Sequence, residues 1–378
     1  MLLLIILIIL LTIVYNWLLI DYYREWRRTC AEQLFLHVKD LPFLSIVIVS
    51  RNETQLTSCI LSIINGSYPI DRYEIIVVDD HSEDGSIEDV TNLQIQNVSV
   101  IHLHTCNIPD NIIAYKKYGQ QIAIAKAKYD WIVTTDGDCL CPKEWLKTIA
   151  LYSKGYSLIT GPIKMTGSSN WLTRLQQFDV IGTMIGTSYG IHKKFWYSAN
   201  AANMAFEKRL YLDYKEHAIQ NSYASGDDIF LIQYAAKRNQ PVGFVNKKAA
   251  VVETPAENTW TSFYNQRLRW ASKSSAYEDR GMQALIYAIG FYNLTLLITL
   301  IWGVFNLQLT VLIIVLLAYL SKSIAEYLLF SSSSSFFGSD YKFHNGLVLS
   351  GLYIIYIVVI GFASIFISNY NWKGRKVR

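Results

Sequence analysis

Charge is scarce in this chain: Asp, Glu, Lys and Arg make up 17% of 378 residues, against about 25% in an average soluble protein. Disorder and an ordinary soluble enzyme both fit poorly with that deficit. Basic residues are not massed either. The net charge is +4, and no run of Lys and Arg exceeds two before the C-terminal tail, which excludes a nucleic-acid footprint. Only five cysteines occur (Cys30, Cys59, Cys106, Cys139 and Cys141), an odd and scattered set. That rules against a disulfide framework, and Cys139 with Cys141 lacks the second pair a zinc site needs. Reduced thiols in a cytosol-facing domain are expected. No G-x-G-x-x-G, P-loop, tandem repeat or Ser-His-Asp set stands out, which argues against dinucleotide and P-loop binders.

What is abundant is apolar surface, 52% of the residues, and it lies at the two ends. Met1 to Ile20 carries no charge and is long enough to cross about 30 Å of hydrocarbon. Arg24, Arg27 and Arg28 follow the run, with Trp17, Tyr22, Tyr23 and Trp26 around them. A cleaved leader has its basic residues first, so this reads as a retained anchor with the next domain on the cytoplasmic side. Three further stretches, Leu285 to Phe305, Leu307 to Phe330 and Gly346 to Ile367, approach spanning length. Lys322 and Glu326 sit one turn apart in the second, spaced to pair with each other. Three full spans would put the basic tail Trp372 to Arg378 outside, against the positive-inside rule. One stretch, Tyr319 to Phe337, is therefore expected to be interfacial or re-entrant, with Ser331 to Ser335 as a polar linker. The domain reading is an anchor at 1–20, a juxtamembrane linker at 21–43, a cytosolic domain at 44–280 and a membrane region at 281–378.

The middle alternates short β-branched runs with helical periodicity. Leu44 to Ser50, Glu74 to Val78, Val98 to Leu103 and Trp131 to Thr135 read as strands; Leu56 to Ile64 and Lys116 to Lys126 read as helices. Continuous apolar strands between helices predict a mostly parallel α/β sheet buried on both faces. Ligands bind beyond the carboxyl ends of such strands, and three of those ends are polar: Ser50-Arg51-Asn52-Glu53, Asp79-Asp80 and Asp136-Gly137-Asp138.

Asp136 and Asp138, two apart on an extended segment, point the same way; oxygen ligands of this kind suit Mg²⁺ or Mn²⁺ held with a diphosphate. Among 17 Asp, chance alone supplies about one such pair, and acids at turns are commonly just solvated; the position after a strand is what raises the reading. Gln266-Arg267-Leu268-Arg269-Trp270 is more specific, since Q-x-x-R-W arises by chance in on the order of one chain in a hundred. On a helix, Gln266, Arg269 and Trp270 share a face. A guanidinium grips phosphate oxygens and an indole stacks on a sugar ring; the competing reading is an amphipathic helix lying on lipid phosphates. Ser225-Gly226-Asp227-Asp228 opens a further helix. Adjacent carboxylates raise one another's pKa, as a general base needs, while the plainer reading makes Asp228 a helix cap.

In this order, the set resembles the family 2 glycosyltransferases, and the resemblance covers nearly the whole chain. It is similar to their membrane members, which include ceramide glucosyltransferase and polysaccharide synthases. Val77 to Gly85 resembles the family's V-V-D-D-x-S-x-D-G, which holds base and ribose, so the resemblance implies nucleotide-sugar contacts from Ser50, Arg51, Glu53, Asp79, Asp80 and Asp136. Lys117 falls where a lysine lies near the sugar diphosphate, although Gly119 and Gln120 replace the usual Ala-Leu. Asp138 and Asp136 match the metal-binding D-x-D, implying Mg²⁺ or Mn²⁺. Asp227 and Asp228 match the acidic pair whose second member is the base. Asn203-Met204-Ala205-Phe206 is similar to the N-M-A-[FY] segment, placing Asn203 with Gln266, Arg269 and Trp270 at acceptor and diphosphate. The implied fold is GT-A, and the implied activity is inverting, metal-dependent sugar transfer from a nucleotide sugar, UDP favoured. The acceptor is expected to be a lipid or lipid-linked glycan at the cytosolic face of a bacterial membrane. A processive polysaccharide synthase shares these motifs, and a scaffold that lost catalysis is disfavoured because every element is intact.

Overall fold

The computed structural model describes residues 2–32, 41–106, 114–217, 226–339, 342–367, 370–372 and 375–377. In chain order the helices are α1 (Leu2–Ala31), α2 (Leu56–Ile64), α3 (Ser86–Asn92), α4 (Tyr115–Lys126), α5 (Trp145–Ser153), α6 (Trp171–Lys193), α7 (Lys208–His217), α8 (Asp227–Lys237), α9 (Trp260–Ala271), α10 (Arg280–Phe305), α11 (Leu309–Phe337) and α12 (Phe343–Phe366). The chain forms two compact units, each assembled from separate stretches. One takes residues 33–166, 190–256 and 369–378; the other takes 1–32, 167–189 and 257–368. Residues 167–189 and 257–280, expected within the soluble middle, thus belong to the second, helical unit.

The first unit is built on a seven-stranded sheet. Its strands are β1 (Leu44–Ser50), β2 (Tyr73–Asp79), β3 (Val98–His102), β4 (Trp131–Thr134), β5 (Leu158–Thr160), β7 (Met204–Glu207) and β8 (Val242–Phe244), in the order β3-β2-β1-β4-β7-β5-β8. β6 (Ile163–Thr166) and β9 (Val252–Pro255) form a separate parallel pair. All pairings in the main sheet are parallel except those of β7, which runs antiparallel to β4 and β5. The four strands read from sequence are present, and the sheet is mostly parallel as expected. Their β-branched residues are why: Ile46 and Ile48 on one face are 0% exposed and Val47 on the other is 2% exposed, as a sheet covered on both faces requires. Register sets the working edge. Ser50 pairs with Asp79 at the carboxyl ends of β1 and β2, and Thr134 pairs with both Val47 and Met204. The ends of β1, β2 and β4 and the start of β7 therefore share one border. At the far end of the chain, Tyr370–Trp372 pairs antiparallel with Arg375–Val377; Lys373, Gly374 and Arg378 of the expected basic tail lie outside the described residues.

Among the described residues, four helices, all in the helical unit, are long and apolar enough to cross a membrane: α1, α10, α11 and α12. They pack through Ile8, Tyr292, Leu296, Val311, Val315 and Ile354, while Val14, Ile298, Leu317 and Phe362 face outward, about half exposed or more. Apolar outside and partly polar within is the order lipid imposes. Lys322 and Glu326 pair inside at 2.5 Å, as their spacing predicted. Two expectations are corrected. Tyr319 to Phe337, expected as a separate interfacial or re-entrant stretch, is not a separate piece, because it continues α11 without a break. Ser331 to Ser335 is helix rather than linker: the hydroxyls of Ser331, Ser332, Ser333 and Ser334 donate to carbonyls three residues back, so the serines satisfy themselves within the helix.

Candidate active site

Three loops meet at the working edge of the sheet. Ser50 ends β1 with its hydroxyl buried and without a hydrogen-bond partner among the described residues. Arg51 turns back to β2, its Nη1 donating to the Asp80 carbonyl at 2.9 Å and standing 3.9 Å from the Asp80 carboxylate. The Asn52 side chain accepts from the Glu83 N–H at 2.8 Å, and the Asn52 N–H donates to the Ser82 hydroxyl. Asn52 and His81 both adopt left-handed backbone, φ 49° and 58°. Such conformations cost about 1–2 kcal/mol per non-glycine residue and concentrate where a loop must present groups to a ligand.

Asp79 and Asp80 do different work. Asp79 is spent on the loop: one oxygen accepts from the Ser82 N–H at 2.8 Å and the other meets His102 Nδ1 at 3.1 Å. Asp80 is 0% exposed and lies 3.0 Å from His81 Nδ1. Among the described residues, Asp79, His102 and His104 bring ligand atoms within 4.8 Å of one another, as do Asp136, Asp138 and Cys139.

Asp136 and Asp138 sit on a tight turn rather than an extended segment, closed by the Cys139 N–H donating to the Asp136 carbonyl at 3.1 Å. The turn, not strand alternation, brings the carboxylates together. Gly137 permits it, since a Cβ there would fall 3.2 Å from Leu56 and 3.4 Å from both Ser50 Oγ and the Glu53 side chain. The Ser50–Glu53 turn and the D-x-D are therefore in direct contact. Two carboxylates suit a hard divalent cation. The nearby Cys139 thiol is pushed well up by burial, and the Asp136 and Asp138 charges act the same way.

The acidic pair opens α8. Its cap is Gly226, at φ 101°, where a side chain would be strained; Asp228 is not the cap. Instead Asp228 is pinned from two sides, Oδ2 by the Ala201 N–H at 3.1 Å and Oδ1 by the Ile229 N–H at 2.9 Å. The Ala201 carbonyl accepts from the Thr134 hydroxyl at 2.8 Å, two residues before the D-x-D. Consecutive lysines of α4 complete the union: Lys116 Nζ lies 2.6 Å from Asp136, and Lys117 Nζ lies 2.9 Å from Asp227. Lys117, only 5% exposed, so balances a carboxylate that burial would otherwise penalise.

Asn203 does not fit a ligand-contacting place. It is 0% exposed, accepts from Trp145 Nε1 at 2.9 Å, and donates to the Pro162 and Ala250 carbonyls at 2.8 Å each. Its amide is consumed inside the fold, fastening the start of β7 to α5 and to the loops beside β6 and β9.

Gln266, Arg269 and Trp270 lie on α9, in the helical unit, around a residue that motif reading passed over. Arg267 is 1% exposed and lies 3.1 Å from Asp179 of α6. Its Nη1 donates to Gln266 Oε1 at 3.0 Å, and its guanidinium stands 4.1 Å from the Trp270 ring centroid. Gln266 in turn donates to Glu257 Oε1 at 2.9 Å. Burial pushes the Asp179 carboxyl up, opposed by Arg267. The signal for Arg267 was available: it stands three residues before Trp270, one helical turn away.

Two family models match: Glycosyl transferase family 2 over residues 45–211 and Glycosyl transferase family group 2 over residues 131–365. The chain belongs to the family 2 glycosyltransferases. Over 136 residues it is 27% identical to human Polypeptide N-acetylgalactosaminyltransferase 3, a match covering 35% of this chain and 21% of that protein. Over 153 residues it is 25% identical to Glycosyltransferase AglE of Haloferax volcanii, covering 38% of this chain and 46% of that one. The chain thus spans less than half the length of these curated relatives. Among solved structures, the Mannosyltransferase PcManGT from Pyrobaculum calidifontis in complex with GDP-Man and Mn²⁺ is similar, with TM-score 0.54 over 95% of this chain and 99% of that one. At 16% identity that likeness is one of fold, and it agrees with the GT-A architecture expected from the sequence.

Proposed function

We propose that the chain is an inverting glycosyltransferase that moves a sugar from a nucleotide-diphosphate sugar, UDP favoured, to a lipid or lipid-linked acceptor. In this proposal the sheet unit is cytosolic and α1, α10, α11 and α12 cross the membrane. The observation that carries the reading is the Asp228 carboxylate, pinned by two backbone N–H groups and tied through Ala201 and Thr134 to the D-x-D. A base must be aimed before it can act, and Asp228 is aimed.

In this reading the nucleoside sits against Ser50, Arg51, Glu53 and Asp80, while Asp79 holds the Ser82 loop. Asp136 and Asp138 would hold Mg²⁺ or Mn²⁺, which when bound neutralises charge on the departing diphosphate. Asp228 takes the proton of the acceptor hydroxyl, whose oxygen attacks the anomeric carbon in line and inverts it. Lys117 holds Asp227 in place through their ion pair, and Lys116 orients Asp136. The family resemblance assigns Arg269 to the leaving diphosphate and Gln266 and Trp270 to the acceptor. Incubating the protein in membranes with radiolabelled UDP- and GDP-sugars, then separating lipid from polymer products, tests the reading. A single-sugar lipid is the expected product. A long polymer would replace the acceptor assignment with a processive synthase, and no turnover of any donor would remove the activity altogether.

A further inference from the structure

A second group of metal-ligating side chains, which the mechanism above does not use as such, lies within the sheet unit at the end of β3. That strand closes on His102, and a 3-10 turn, Leu103–Thr105, follows directly. Leu103 is 0% exposed and anchors the turn. The residues on either side of it, His102 and His104, are half-buried and exposed, with ring centroids 5.3 Å apart. The Thr105 hydroxyl donates to the His102 carbonyl at 2.8 Å, and the Cys106 N–H to the Leu103 carbonyl at 2.9 Å. The H-x-H turn is therefore held from within.

Parallel pairing brings a carboxylate to it. Asp79, the last residue of β2, is the register partner of His102. Asp79 Oδ2 lies 3.1 Å from His102 Nδ1, and one ligand atom from each of Asp79, His102 and His104 falls within 4.8 Å of the others. A tetrahedral zinc with bonds of about 2.0–2.2 Å holds its ligand atoms about 3.4 Å apart. The first pair already has that spacing, and rotation of the exposed His104 side chain closes the set. An Asp–His hydrogen bond needs no third member; His104 adds one. The other oxygen of Asp79 accepts from the Ser82 N–H at 2.8 Å, the kind of outer partner that aims a ligating carboxylate. His81 is not a fourth ligand through Nδ1, which meets Asp80 Oδ1 at 3.0 Å. Two imidazoles with one carboxylate select a borderline ion such as Zn²⁺, whereas the paired carboxylates of the D-x-D select a hard one.

We propose that Asp79, His102 and His104 form a zinc site separate from the D-x-D, and that zinc there clasps the 80–85 loop to β3. The ion bonds Asp79 Oδ2 while Oδ1 keeps the Ser82 N–H, so the end of β3 is tied through one carboxylate to the loop that carries Asp80. Neutral His102 binds through Nδ1 by carrying its proton on Nε2, and water takes the fourth position.

The test titrates zinc chloride into the full-length protein in phosphatidylcholine nanodiscs, with Mg²⁺ in excess to occupy the D-x-D. One zinc per chain is expected, and Asp138→Ala should bind it equally well. His104→Ala leaves the Asp79–His102 hydrogen bond in place and should weaken zinc by at least about tenfold, the loss that even outer partners cause. Cobalt chloride should give the d–d absorption of a tetrahedral ion in the parent protein and lose it in His104→Ala. Hydrogen exchange of the 80–85 peptide should slow with zinc in the parent and stay unchanged in His104→Ala. No bound zinc, zinc held equally by His104→Ala, or zinc lost in Asp138→Ala overturns the site. Zinc bound at full affinity with no slowing of exchange overturns the clasp. None of these readouts uses sugar transfer, so failure of the function proposed above is seen separately.

Discussion

Asp228→Asn is the sharpest perturbation of the site. Both oxygens of this carboxylate accept backbone N–H groups, from Ala201 at 3.1 Å and from Ile229 at 2.9 Å. An amide has one acceptor oxygen, so in either orientation its NH₂ faces an N–H. One hydrogen bond is lost and one half-buried donor is orphaned, at a cost of about 1–2 kcal/mol of stability. The catalytic loss is larger. General-base catalysis contributes typically 10²–10⁴-fold, which at about 1.4 kcal/mol per factor of ten is roughly 3–5 kcal/mol of barrier. The variant should therefore fold, melt a few degrees lower, bind nucleotide within about threefold of the parent, and turn over at least ~10²-fold more slowly. Calorimetric nucleotide titration, a thermal melt and initial-rate transfer of labelled sugar measure the three quantities separately. Asp228→Glu, which keeps a base but misplaces it, should recover part of the rate. Near-parental turnover in folded Asp228→Asn would remove Asp228 from the base role and the mechanism with it.

Asp138→Ala should abolish the divalent-cation dependence of nucleotide binding, and an unchanged metal titration would reassign Asp136 and Asp138 to an ordinary surface turn. Lys117→Met leaves the Asp227 carboxylate buried without its cation and should cost about 3–5 kcal/mol; adding Asp227→Asn should restore most of that stability in a denaturant melt without restoring activity. The buried Cys59 and Cys141 thiols are pushed up, chiefly by burial, so the folded state holds protons that the unfolded chain releases. Stability is then fully present below pH ~8.5, the ordinary thiol value, and declines above it by up to about 1.4 kcal/mol per pH unit for each thiol. Melts between pH 7.5 and 9.5 should show the decline, and Cys59→Ala with Cys141→Ala should make it shallower, leaving the share of Cys139.

Much of this molecule is written locally. Strand and helix identity, the four long apolar helices and the D-x-D, Asp-Asp and Q-x-x-R-W elements follow from side-chain type and short spacing, because burial on a sheet or in lipid imposes a period the residues must obey. Lys322 and Glu326 are legible for the same reason, lying one turn apart on one helix. What spacing cannot encode is contact between distant stretches. That Asp228 is aimed by Ala201, that Lys116 and Lys117 reach two different acids, and that Asn203 is consumed by Trp145, Pro162 and Ala250 depend on strand order and on the antiparallel entry of β7. Arg267 shows the division most plainly. Its sequence neighbours form a motif, yet only packing against Asp179 of α6 reveals it as the buried centre of that motif. Periodicity sets which face of a helix is apolar; which partner that face meets is decided when the whole chain has folded.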